Sequence, residues 1–197
     1  MNGHPPRTPT HVVLVGMMGA GKTTTGAALA SRLGRPLLDG DVELERRTGR
    51  TGAQIAATDG VDRLHHLEEE VLLDALSATT PTVIAAAGSV AEAERCQAPL
   101  AERALVVWLD APVTALVSRM GSGDHRRPLE ADAAHVLLQR RRAAFAAIAD
   151  LHLDAVTPTD ELVEAIVTAL TDAVPDRDSA AGTADVERPE TDQGDLP

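Results

Sequence analysis

A chain of 197 residues, 44% of them hydrophobic, has the size and apolar content of one ordinary domain, and its core falls to Val, Leu, Ile and Ala because aromatics supply only 1%. A formal net charge of −12 excludes non-specific binding to nucleic acid or an anionic membrane, which needs a basic face, and the two large rings, Trp108 and Phe145, are too few for a base-stacking platform. The single cysteine, Cys96, excludes an internal disulfide and fits a reducing compartment.

The first ten residues, MNGHPPRTPT, are Pro-rich and polar, lack the apolar centre of a secretory signal, and are expected to be unstructured. No uninterrupted apolar run approaches the length of a membrane span, so a cytoplasmic protein is expected; a monomer is expected as well. From His11 short apolar runs alternate with helical stretches. HVVLV (11–15) reads as a β-branched strand, the turn GMMGAGK follows it, and residues 22–33 set Ala27, Ala28, Leu29 and Leu33 at helical spacing. PLL (36–38) is a second short strand, with a helix from about Asp41 to Arg47 after it. TGAQIAAT and residues 60–78 read as helices, the second with Leu64, Leu67, Val71 and Leu72 on one face and acids opposite.

TVIAAA (82–87) is a third strand, 90–103 a helix, and ALVVWLD (104–110) a fourth, almost wholly apolar strand. A helix over 112–119, a Gly/Arg-rich loop over 120–130, a helix over 131–148, the strand LHLDAV and a helix over 159–173 complete a domain over 11–173. Continuous apolar strands separated by helices are what a parallel sheet covered on both faces demands. Residues 174–197 hold seven acids, two arginines and hardly any large apolar side chain. Such a segment cannot bury enough surface to offset its ordering entropy, and a disordered acidic tail is expected there.

Gly16-Met17-Met18-Gly19-Ala20-Gly21-Lys22-Thr23 satisfies the phosphate-loop pattern G-x-x-x-x-G-K-[ST]. Glycines let backbone N–H groups turn inward and approach phosphate oxygens with no Cβ in the way. The backbone of Gly16, Gly19, Ala20 and Gly21, with Thr24 in the helix behind, forms the candidate cradle, and the helix N-terminus adds its positive dipole end. Lys22 reaches the terminal phosphates and the Thr23 hydroxyl can ligate Mg²⁺. Of the 18 basic residues 17 are Arg, and the one lysine is Lys22. A bias toward Arg explains the seventeen but not the place of the exception. Nucleotide binding follows.

Asp39-Gly40-Asp41 comes directly after the second strand, and ligand sites of parallel sheets lie beyond the carboxyl ends of strands. One carboxylate can hold Mg²⁺ through water, and the other can accept a hydroxyl's proton or hydrogen bond. An alternative for Asp41 is the N-cap of its helix.

The run LLDGDVELERRTGRTGAQIAATDG, joined to the phosphate loop before it and RRPL after it, resembles the shikimate kinase family over about residues 11–172. The resemblance implies a three-layer α/β/α P-loop kinase fold of the nucleoside-monophosphate-kinase type with a mainly parallel five-stranded sheet. It also implies ATP with Mg²⁺, a mobile lid, and phosphate transfer to the 3-hydroxyl of shikimate in aromatic amino-acid biosynthesis. Residue by residue, it makes Lys22 and Thr23 the phosphate and metal ligands, Asp39 the metal-side aspartate and Asp41 the partner of the acceptor hydroxyl. Arg127 matches the lid arginine and Arg141 the arginine that pairs the substrate carboxylate. Arg119 approximates the one that stacks on adenine, and Gly88 ends the glycine run lining the acceptor site.

The departures cluster at the acceptor. Where the family reads Gly-Glu-x-x-Phe-Arg-x-x-Glu, this chain has Gly60-Val61-Asp62-Arg63-Leu64-His65-His66-Leu67-Glu68, so the substrate arginine falls on His65. Arg63 stands about 200° around the helix from it and cannot substitute. The family's Gly-Gly-Gly falls on Ala86-Ala87-Gly88, adding two Cβ atoms beside the ligand ring. An imidazole gives a carboxylate one hydrogen bond where a guanidinium gives two, a loss on the order of 2–4 kcal/mol, recovered in part through Arg141. Three readings follow: a shikimate kinase with a relaxed pocket, a kinase of the same fold for another cyclitol or sugar acid, or a non-catalytic nucleotide-binding regulator. His65 and His66 read as pocket or surface residues, since no H-x-x-x-H ligand pair exists. Glu68 can orient a substrate-side arginine, and Arg126, Arg127, Arg140, Arg141 and Arg142 flank the loop expected to close over phosphates.

Overall fold

The structure, a computed structural model, describes residues 10–121 and 131–173. The expected acidic tail, all but the last residue of the expected N-terminal segment, and the loop bearing Arg126 and Arg127 lie outside these residues. Thr10 already joins the domain, its amide donating to the Arg103 carbonyl at 3.0 Å.

Five strands form one sheet in the order β2-β3-β1-β4-β5: β1 (His11–Val15), β2 (Leu37–Asp39), β3 (Val83–Ala85), β4 (Ala104–Asp110) and β5 (Leu151–Asp154). All four pairings are parallel. Every residue of β1 and β4 is buried, as the unbroken apolar runs require of central strands covered on both faces. The edge strand β5 alternates half-buried and exposed residues. α1 (Lys22–Leu33) packs with α8 (Thr159–Asp172), while α4 (Val61–Ser77), α5 (Glu94–Arg103) and α7 (Ala131–Ile148) pack together. α6 (Val113–Gly121) lies against α7. Among the described residues no helix is long and apolar enough to cross a membrane.

β1 leads toward the β2 edge and its neighbour β4 leads toward the β5 edge, so the order reverses between them and leaves a crevice at their carboxyl ends. Beyond β2, α2 (Gly40–Thr48), α3 (Gly52–Thr58) and α4 close around their own small core of Leu44, Ile55 and Leu64. α3 starts at a capping box in which Thr51 and Gln54 each satisfy the other's backbone amide.

The single helix expected over 90–103 is two elements. A 3₁₀ turn spans Gly88–Glu92, Ala93 adopts an extended conformation, and α5 starts at Glu94. The break lets Ser89, Val90 and Ala91 bury themselves under α4 and α7. Cys96 is a buried thiol, and burial pushes its pKa up to about 11, away from reactivity.

Candidate active site

The phosphate loop turns directly off the end of β1. Gly16 has φ 142°, and a Cβ there would stand 2.4 Å from the Leu109 carbonyl oxygen of β4, so neither its backbone angle nor its space admits a side chain. Gly21, at φ 89°, ends the loop as the N-cap of α1 and offers no side-chain cap. The first amides of α1 therefore stay available to an anion. Lys22 opens the helix and curls back, its Nζ 3.0 Å from the Gly16 carbonyl and 3.1 Å from that of Met17. Burial lowers its pKa, Asp41 and then Asp39 pull it upward, Arg141 lowers it and Glu68 raises it. Those four side chains, from three other parts of the chain, thus share the electrostatic surroundings of the one ammonium.

Asp39 is the last residue of β2. Its Oδ1 accepts from the amides of Asp41 and Val42 at 3.0 and 3.3 Å, which makes it the N-cap of α2. Its Oδ2 accepts the Thr23 hydroxyl at 2.6 Å. The cap alternative considered for Asp41 therefore belongs to Asp39, and α2 begins one residue earlier than expected. Asp41 sits exposed in the first turn. A hydroxyl and a carboxylate 2.6 Å apart beside the phosphate loop are two hard oxygen donors. They fit a magnesium ion, which takes few protein ligands and completes its shell with phosphate and water.

Gly88 faces the loop from the other side. A Cβ there would lie 3.1 Å from the Gly16 carbonyl oxygen, 3.2 Å from Arg141 Nη1 and 3.5 Å from the Phe145 ring. Leu138, Arg141 and Phe145 recur at helical spacing on the inward face of α7, which is why Arg141 is only 7% exposed. Its Nε donates to Glu92 at 2.7 Å, and Arg140 grips the same carboxylate in a fork of 2.9 and 3.1 Å. Burial opposes charge on Glu92, but the hydrogen bonds from Arg140 and Arg141 prevail and hold its pKa below the ordinary range. Arg142 turns the other way, to Asp110 and over the Trp108 ring, and takes no part in the site.

On α4, His65 is half-buried, and burial together with the Arg141 charge lowers its pKa, so it is mostly neutral at pH 7. His66 points elsewhere, to Glu70 at 3.0 Å and to Arg95. No group of three or more His, Cys, Asp or Glu suited to a metal occurs among the described residues. Glu68 accepts the Ser89 hydroxyl, and burial raises its pKa against that bond. Ala86 is buried in the core and Ala87 half-buried, and the backbone of both passes close to Gly40. Arg119 of α6 reaches the Ala155 carbonyl at 2.9 Å and the Gly19 carbonyl at 3.4 Å, bridging the phosphate loop and the β5–α8 connection.

The structure thus brings Lys22, Thr23, Asp39, Asp41, His65, Gly88, Arg119 and Arg141 around one crevice, while Arg127 lies outside the described residues. Ser89 and Glu92 are additions that sequence reasoning missed. A helix drawn straight through 90–103 hid the turn that aims Glu92 at Arg141.

The model of the shikimate kinase family matches residues 18–171. The shikimate kinase of Microcystis aeruginosa is 37% identical over 177 residues, 85% of this chain and 92% of that protein. That of Symbiobacterium thermophilum is 42% identical over 120 residues, 60% of this chain and 68% of that protein. Among solved structures, the shikimate kinase from Acinetobacter baumannii in complex with shikimate superposes with a TM-score of 0.76 at 29% identity, covering 84% of this chain and 95% of that one. A gluconokinase from Sinorhizobium meliloti shares the fold at a TM-score of 0.57 and 19% identity, over 84% of this chain and 94% of its own.

Proposed function

The chain belongs to the shikimate kinase family, and from that premise we propose that it passes the γ-phosphoryl group of ATP to the 3-hydroxyl of shikimate. It is an ATP-dependent small-molecule kinase. The observation that carries the reading is the phosphate loop itself, with Lys22 Nζ curled back onto the Gly16 and Met17 carbonyls and the Thr23 hydroxyl 2.6 Å from Asp39 beside it.

The loop amides and the N-terminus of α1, with Gly16, Gly19, Ala20, Gly21 and Thr24, receive the phosphates. Arg119 stacks on the adenine and Arg127 closes over the phosphates. Thr23 and Asp39 would hold Mg²⁺, Asp39 through water, and the ion when bound neutralises charge on the phosphate oxygens. Lys22 stabilises charge on the group in flight as the acceptor oxygen bonds to the γ-phosphorus and the bond to the bridging oxygen of ADP breaks. Asp41 orients the acceptor hydroxyl and takes its proton. Gly88, His65 and Arg141 receive the ring and its carboxylate.

Lys22→Ala and Asp41→Asn are each expected to lower shikimate-stimulated ADP release by about 10²–10⁴-fold. Full activity in either variant contradicts the scheme. A second reading, an acceptor among other hydroxylated acids such as quinate or gluconate, draws on the neutral His65 standing where the family has an arginine. An ADP-release screen over these acids separates the two.

A further inference from the structure

The acceptor wall contains a charge group outside the family pattern described above: Glu92, held between two consecutive arginines of α7. Arg140, whose side chain is 61% exposed, closes a two-bond fork on the Glu92 carboxylate. The same carboxylate then takes one further hydrogen bond, from Nε of Arg141, whose side chain is 8% exposed. A guanidinium has two edges able to make paired bonds, the Nε side and the Nη1–Nη2 end. Glu92 occupies the first. The second points to the glycine side of the crevice, where Nη1 comes within 3.2 Å of the place a Gly88 Cβ would take. Held only by packing, a long Arg side chain would give up rotamer freedom on meeting its ligand. Here the third bond of Glu92 removes that freedom beforehand. The carboxylate between them also offsets the repulsion of the two neighbouring guanidinium groups and leaves a net positive wall.

We propose that Glu92 is a positioning residue: braced by Arg140, it fixes the Nε edge of Arg141 so that the opposite edge meets the carboxylate of the acceptor. The inference rests on the acceptor being shikimate or an acid of the same class. It explains how one strong carboxylate partner serves a pocket in which the second is a neutral imidazole.

The test compares shikimate with its neutral methyl ester, which keeps all three hydroxyls, in steady-state kinetics of the full chain. For Glu92→Gln the KM for shikimate is expected to rise about tenfold, as for loss of one charge-assisted bond, with the KM for ATP held within about twofold. The kcat/KM for the ester is expected to stay within about twofold, so the preference for the free acid shrinks about tenfold. Arg140→Gln, at an exposed position, should move the same ratio in the same direction by about threefold, and it carries the test if the first variant does not fold. An unchanged acid-to-ester ratio in Arg140→Gln and folded Glu92→Gln overturns the proposal. So does a lower KM for shikimate, which would make Glu92 a competitor for Arg141, and so does an equal loss for acid and ester, which would mark general damage. If the wild-type chain turns over no shikimate, the functional reading fails first and the role of Glu92 falls with it.

Discussion

Replacing Gly16 by alanine probes the contact on which the phosphate loop is built. The new Cβ would lie 2.4 Å from the Leu109 carbonyl oxygen, about 1 Å inside an ordinary contact, and that oxygen belongs to the buried central strand β4. At φ 142° an alanine also enters a region open almost only to glycine, at a cost on the order of 1–3 kcal/mol. Forcing the loop and β4 apart adds about 1–3 kcal/mol more. The sum, about 4 kcal/mol, corresponds to a fall in Tm of about 8–16 °C for a domain of this size. Gly34→Ala is the matched control, because Gly34 also has a positive φ, 62°, but no atom within 4 Å of its Cβ position. It should lose about 1–2 kcal/mol through the backbone alone. Thermal unfolding of both variants by circular dichroism reads the clash, together with the less accessible backbone region of Gly16, as the difference between them. If Gly16→Ala melts no lower than Gly34→Ala, β4 does not hold the loop in the way described.

Hydrogen bonds from Arg46 and Arg47 hold Glu43 at about 2, below its ordinary 4.5, so between those values the unfolded chain binds the extra proton. The resulting stabilisation is complete above pH 4.5 and is lost as the pH falls toward 2. Urea melts should therefore show Glu43→Gln about 1 kcal/mol less stable than wild type at pH 7, a small figure because Arg46 is exposed, with the gap closing in acid; a gap that persists at pH 2 refutes the assignment. His65→Arg restores a guanidinium opposite Arg141. It is expected to lower the KM for shikimate about threefold to tenfold, the fork being offset by repulsion from Arg141, while the KM for ATP stays put. A KM for shikimate unaltered by His65→Arg would show that the acceptor carboxylate does not face this position.

The nucleotide end was legible because its chemistry is local. Eight consecutive residues from Gly16 to Thr23 determine both the path of the backbone and the groups it offers, and the preceding apolar strand and following helix determine where that path points. Asp39 and Asp41 were legible as a pair, since both follow a strand end, but not which of them caps α2. Which of the two caps α2 depends on whether the helix starts at Gly40 or Asp41, and Gly40 is admitted by its close approach to the Ala85 carbonyl, 3.2 Å from where a Cβ would stand. The two extra methyls of Ala86 and Ala87 looked from the sequence like one obstruction. Folding buries the first in the core and leaves the second half-buried, with the backbone of both beside Gly40.

The acceptor side belongs to the tertiary structure. Its members come from α2, α4, the 3₁₀ turn and α7, so no spacing along the chain reports their distance in space. Arg140, Arg141 and Arg142 are consecutive, and steps of about 100° around a helix send neighbours to different faces. The sheet behind α7 decides that Arg141 is the one buried against Gly88, that Arg140 braces Glu92 from outside, and that Arg142 leaves for Asp110. From the amino-acid order alone came a parallel α/β sheet, a loop for phosphates and a pair of carboxylates beside it. The orientation of the acceptor wall came only with packing, because a side chain's direction is set by what the opposite element leaves room for.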